Sequence, residues 1–164
     1  MSANKHLPHV LVLPEDDANR QMANGFHQEI DFAQQRQMQV LPVANGWREV
    51  LDLFESVHVT EMGRWLTRYM VLLIDFDNQA SRLGEAKARI PAQLTERVFV
   101  IGSQTKPEDL RSIGSLEAIG AELARDCRDE SIRTWSHVLL RNNAEELDRL
   151  REHVRPILFR PTHE

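Results

Sequence analysis

The sequence holds one cysteine, Cys127, in 164 residues, so it has no intramolecular disulfide and no CxxC pair for structural zinc. Long apolar runs are also missing. None approaches the roughly 18–20 residues that cross a bilayer, which excludes a membrane-spanning helix as a working element. The opening MSANKHLPHV carries no long apolar stretch of the secretory kind, so a cytoplasmic address is the expectation. There is no surplus of positive charge. Lys and Arg total 20 against 25 Asp and Glu, a formal net charge of −5. Any hold on nucleic acid therefore needs a local basic patch or a metal ion rather than bulk charge. His6 and His9 have HxxH spacing, but no other ligand type clusters with them. Low-complexity tracts, solenoid repeats and flexible linkers are absent.

What is present is the mixture of an ordinary globular protein, 41% hydrophobic and 27% charged. A chain of this length buries roughly 70% of its unfolded surface around one core, so residues 1–164 are expected to form a single domain. Short apolar runs alternate with helical periodicity. HVLVL (9–13) reads as a strand that stops at PEDD, and Met22, Phe26 and Ile30 then recur every four residues. Residues 38–43 read as a second strand despite Pro42. Asn45-Gly46 marks a turn into a helix with Trp47, Val50, Leu51 and Phe54 on one face. Residues 56–68 read as an elaborated connection. YMVLLI (69–74) is continuous and apolar, as a central strand of a parallel sheet is. Leu83, Ala86 and Ile90 suggest a helix, and RVFVI (97–101) a fourth strand.

Beyond that point the pattern is helical. Pro107 suits a first helical position. Leu116, Ile119 and Leu123 carry the helical period, as do Ile132, Trp135 and Leu139. Asn143 and Glu146 have capping-box spacing, and 156–159 reads as a last strand or a packed end. The expected fold is an α/β three-layer sandwich on a mainly parallel sheet of about four strands, with right-handed crossovers. The core spans about 9–112, and a helical C-terminal extension covers about 113–164.

In such sheets ligands sit beyond the carboxyl ends of the strands. Acids fall there twice, as Glu15-Asp16-Asp17 after strand one and Asp75-Phe76-Asp77 after strand three. Carboxylates crowded together repel one another and lose hydration, which a hard divalent cation or a raised pKa relieves. Residues 75 and 77 point to the same side if the strand continues. Asp17 equally suits the cap of the first helix, and Asp77 or Asn78 the cap of the third. Glu108, in KPEDL after strand four, is a third contributor or a first-turn acid answering the helix dipole.

The order of Glu15 in LVLPEDDAN, Gly46 in VANGWREVLDLF and Asp75 with Asp77 in LLIDFDN resembles Toprim domains. These are the Mg²⁺-binding modules of topoisomerases, bacterial primases and small or OLD-type nucleases. PEDL, with Glu108, looks like the acidic segment after strand four of stand-alone Toprim-like proteins. The resemblance covers about residues 9–112. It departs at Asp16, where many Toprim domains have Gly, and at Asn19, where an Asp is frequent. It implies metal-assisted phosphoryl transfer on DNA or RNA with Mg²⁺ or Mn²⁺. Asp75 and Asp77 would anchor the ion with help from Glu108 and Glu15, and Glu15 would act as general base. Asn78, Ser103 and Lys106 would be auxiliary phosphate contacts. A topoisomerase needs a tyrosine, and the sole Tyr69 lies at the far end of strand three; a primase needs further domains. A small nuclease remains.

LPEDDANR also resembles the acidic pair of response-regulator receiver domains. That resemblance implies phosphorylation at Asp75, Mg²⁺ held by Asp16 and Asp17, and Ser103 as the hydroxyl after strand four. The receiver lysine follows a fifth strand, whereas Lys106 follows Ser103 by three residues; Arg141 or Arg155 would have to replace it. A third reading is a non-catalytic adaptor with Trp47, Trp65 and Trp135 as anchors or core. Arg64, Arg68, Arg82, Lys87 and Arg89 form either a basic rim or a solvated helix face. Protein partners and self-association stay open.

Overall fold

A computed structural model describes residues 2–159. Four strands, β1 (His9–Pro14), β2 (Met38–Val40), β3 (Arg68–Leu73) and β4 (Val98–Ile101), form one parallel sheet in the order β2-β1-β3-β4. β1 and β3 pair over six residues, from His9 opposite Arg68 to Pro14 opposite Leu73. Alternate side chains enter two cores. Val10, Val12, Val71, Leu73, Phe99 and Ile101 meet α1 (Asp17–Gln28), α5 (Leu116–Asp129), α6 (Ala144–His153) and α7 (Arg155–Leu158). Leu11, Leu13, Met70, Leu72, Val98 and Val100 meet α2 (Trp47–Leu53), α3 (Val59–Arg64) and α4 (Ala80–Ala88). This is the three-layer α/β sandwich with a helical C-terminal part. Among the described residues no helix is long and apolar enough to cross a membrane.

Several expectations are corrected. β2 ends at Val40, where Pro42, lacking an N–H, closes the ladder soon after Leu41 donates to the Val12 carbonyl. The connection over 56–68 is largely helical: α2 runs through a π-helical turn, Phe54–His58, into α3. It buries Phe54 and Met62, so one apolar stripe continues across the whole segment. Residues 132–139 form successive turns rather than a helix, because the buried Asp126 carboxylate accepts the Thr134 N–H at 2.7 Å and tethers the chain there. The tail is a packed end, with α7 burying Ile157 and Leu158. The basic rim is not gathered. Arg64 pairs with Glu61, Arg68 donates to His9, Lys87 pairs with Glu146 and Arg89 with Asp52 and Glu55.

The capping box is also absent, and its two side chains do other work. β4 is an edge strand whose outward groups belong to residues 98, 100 and 102. Asn143 Oδ1 accepts the Gly102 N–H at 3.1 Å while its Nδ2 donates to the Gly102 carbonyl at 2.9 Å. The buried carboxylate of Glu146 accepts the Val100 N–H at 2.8 Å, and Arg149 donates to the Val98 carbonyl at 3.3 Å. Side chains three residues apart on one helix face thus replace the fifth strand, and they remove the open edge on which another chain could pair.

Within the layer on the first face, α1 and α5 approach until glycine is required on both. A Cβ on Gly120 would stand 1.9 Å from the Met22 carbonyl oxygen, and one on Gly25 equally close to that of Glu117.

Removing Glu146 leaves the buried Val100 N–H without an acceptor and takes a carboxylate partner from Lys87 and Arg149. Glu146→Ala is expected to cost about 2–4 kcal/mol and Glu146→Gln, which keeps an acceptor, markedly less; urea unfolding midpoints measure both. Gly120→Ala is expected to destabilise by about 1–3 kcal/mol by the same measurement, although in an uncrowded helix the exchange would be favourable.

Candidate metal and phosphate site

The carboxyl ends of β1 and β3 are adjacent, and each chain leaves its strand with an acid. Glu15 extends the ladder by donating its N–H to the Leu73 carbonyl at 2.9 Å, and its Oε2 accepts the Asp75 N–H at 2.7 Å. Its carbonyl is covered by the Asn45-Gly46 turn, whose two N–H groups donate to it at 2.8 and 3.2 Å. Asp16, and not Asp17, caps α1, accepting the Asn19 N–H at 3.0 Å. One oxygen from each of Glu15, Asp16 and Asp75 lies within 4.8 Å of the others.

Asn19 holds this group together. Fully buried, it donates through Nδ2 to Asp75 at 2.9 Å and to Asp16 at 3.0 Å. Its Oδ1 is buried with no partner among the described residues. A donor between two carboxylates is what the arrangement needs, and an Asp at position 19 would add a fourth negative charge. Arg82 closes the other side. It donates Nη1 to the Asp75 carbonyl at 2.8 Å and lies 4.5 Å over the Trp47 ring. The sequence offered a cue for Asn19, which stands one helical turn after Asp16. Arg82 stood in the sequence only as one of five basic-rim candidates, and it is the return of α4 to the sheet that brings it here.

The other expected residues fall outside the trio. β3 ends at Leu73, Phe76 turns into the core, and Asp77 and Asn78 adopt left-handed backbone with φ of 50° and 55°. Strand alternation is thereby broken. The carboxylates of Asp75 and Asp77 do not share a face, neither Asp77 nor Asn78 caps α4, and Asp77 stands exposed, 3.9 Å from Arg82 Nη2. Asp17 is exposed and held by Arg20 and Gln21. Glu108, half-buried on the turn Pro107–Ser112, is near enough for its charge to act on Asp75. The Ser103 hydroxyl donates to the Thr105 carbonyl, and Lys106 is exposed. Tyr69 lies at the start of β3, between the Phe99 and His153 rings, away from the acids.

Burial dominates the electrostatics. It pushes the Asp75 carboxyl from 3.8 to about 7, opposed by the Asn19 hydrogen bond and reinforced by Glu15, Asp16 and Glu108. Burial also raises Glu15, against the Asp75 N–H it accepts. The donor set is all oxygen, without imidazole or thiolate, which fits a hard divalent cation such as Mg²⁺ or Mn²⁺. No protein-family model, no curated protein and no solved structure matches the chain.

An acid whose value is higher folded than unfolded binds more protons when folded. Its protonation favours the folded state at low pH, and that contribution is lost as pH rises from 3.8 to about 7. Asp75→Asn is therefore expected to stabilise the protein near pH 8 by about 1 kcal/mol after allowance for solvent screening, and to change little below about pH 4. Urea midpoints at the two pH values check this.

Proposed function

We propose that this protein is a Toprim-like, metal-dependent phosphoryl-transfer protein, a small nuclease that hydrolyses nucleic-acid phosphodiesters. The observation that carries the reading is the convergence of Glu15, Asp16 and Asp75 oxygens beyond two adjacent parallel strands. Support also comes from the four-stranded sheet, which has no fifth strand among the described residues, and from residues 144–153 being helical.

Asp75 and Asp16 would hold Mg²⁺ or Mn²⁺, with the third carboxylate beside them. When bound, such an ion would supply polarisation of the phosphodiester and charge stabilisation at the leaving oxygen. Glu15 keeps one oxygen on the Asp75 N–H, and the other takes the proton of the attacking water as its oxygen bonds to phosphorus and the P–O bond to the leaving group breaks. A carboxyl raised by burial suits that role near neutral pH. Asn19 keeps Asp75 and Asp16 aligned. The substrate is DNA or RNA, engaged through the metal ion rather than through bulk charge, because the net charge is −5.

One observation favours a second reading. The order β2-β1-β3-β4 is that of flavodoxin-like sheets, which receiver domains share, without their fifth strand. Against it, Ser103 is turned to a backbone carbonyl, and Arg155 is engaged by Glu130.

Plasmid, single-stranded DNA and RNA incubated with Mg²⁺, Mn²⁺ or chelator separate the two. Metal-dependent cutting is expected, lowered about 10³-fold by Asp75→Asn and by Glu15→Gln in folded protein. No cutting on any substrate, with Asp75 phosphorylated by acetyl phosphate, would select the receiver reading.

A further inference from the structure

A cluster of carboxylates repels the phosphate it is meant to act on. Beside the ion, a fixed cation is needed where the non-bridging oxygens come to lie. Arg82 is held at that place more firmly than a surface arginine. Its side chain is 11% exposed, its Cζ lies 4.5 Å from the centre of the Trp47 ring, and Nη1 donates to the carbonyl of Asp75 itself. On the opposite edge Nη2 makes no hydrogen bond among the described residues and meets the exposed Asp77 carboxylate at 3.9 Å. Nε beside it also has no partner, but it is closed off from solvent, so Nη2 is the donor that an incoming oxygen would reach. The positive charge also reaches Glu15, counteracting burial and the neighbouring acids.

We infer that Arg82 is the anion-binding residue of the site, its Nη2 taking a non-bridging oxygen of a substrate phosphate, with the Asp77 carboxylate competing for the same donor. The inference deepens the phosphoryl-transfer reading and rests on it for the identity of the anion. A purely structural Arg82, ordering residues 74–79, would need only Nη1 on the Asp75 carbonyl and would leave phosphate affinity untouched. The two carboxylates of the DFD segment then have opposite effects: Asp75 belongs to the ion, and Asp77 opposes the substrate.

The test is a calorimetric titration of the full chain with inorganic phosphate, in chelator and again at saturating Mg²⁺, with a separate Mg²⁺ titration. Arg82→Gln is expected to weaken phosphate about tenfold in both conditions, and Arg82→Lys to recover only part of it because an ammonium cannot hold the Asp75 carbonyl and present a second fixed donor as one planar group. Asp77→Asn, at an exposed position, is expected to tighten phosphate about threefold in chelator. Equal affinity in wild type and Arg82→Gln overturns the inference, as does a wild type that binds no phosphate in either condition. Should Arg82→Gln not fold, Asp77→Asn decides, and unchanged or weaker binding overturns it. Failure of the metal reading shows separately, as Mg²⁺ affinity that is absent or indifferent to Asp75→Asn, while the chelator titrations still judge Arg82.

Discussion

The pairing of β1 with β3 is the constraint on which the site depends. Parallel neighbours cannot be joined by a hairpin, so the chain builds β2, α2 and α3 between them before β3 returns to the centre. Six residues of register then fix where each strand ends. Glu15 and Asp75, 60 residues apart in sequence, are locked by a bond from the backbone of one to the carboxylate of the other. A slip of one residue in either strand would turn every side chain of that strand to the wrong core and separate the acids.

The far edge of the sheet is settled differently. β4 would ordinarily need a neighbour, and α6 with its N-cap residue supplies polar side chains in place of a strand. Asn143, Glu146 and Arg149 satisfy successive outward groups of β4. This frees the last third of the chain to pack against α1, where glycines on both helices allow close approach. The result is a thick layer of α1, α5, α6 and α7 on one face, and α2–α4 on the other.

Stability and chemistry pull in opposite directions at the acidic end. Burial and neighbouring carboxylates raise Asp75 and Glu15, so ionising them costs more than it would in water. One buried amide, Asn19, and one guanidinium, Arg82, are the fixed counterweights. Groups held in this state gain most from a bound cation, since binding removes both the proton and the repulsion.

Most of the fold was legible in the sequence because it follows from local rules. Apolar runs at 9–13, 69–74 and 97–101 and their intervening helical periods determined a parallel α/β sandwich, and the acids after strands one and three marked its working end. Local rules failed where long-range partners outbid them. Asn143 and Glu146 have the spacing of a cap but bond to β4. Asp75 and Asp77 have the spacing of a shared strand face, but left-handed backbone after Phe76 parts them. Residues 132–139 have helical period but are tied down by Asp126. The sequence by itself determined which elements form and which acids stand at their ends, since periodicity and turn chemistry act over a few residues. Only the tertiary structure decided that Asp16 and Asn19 join Glu15 and Asp75, and that Arg82 lies over Trp47 beside them. Hydrogen bonds and charges between distant segments depend on where whole helices and strands come to rest.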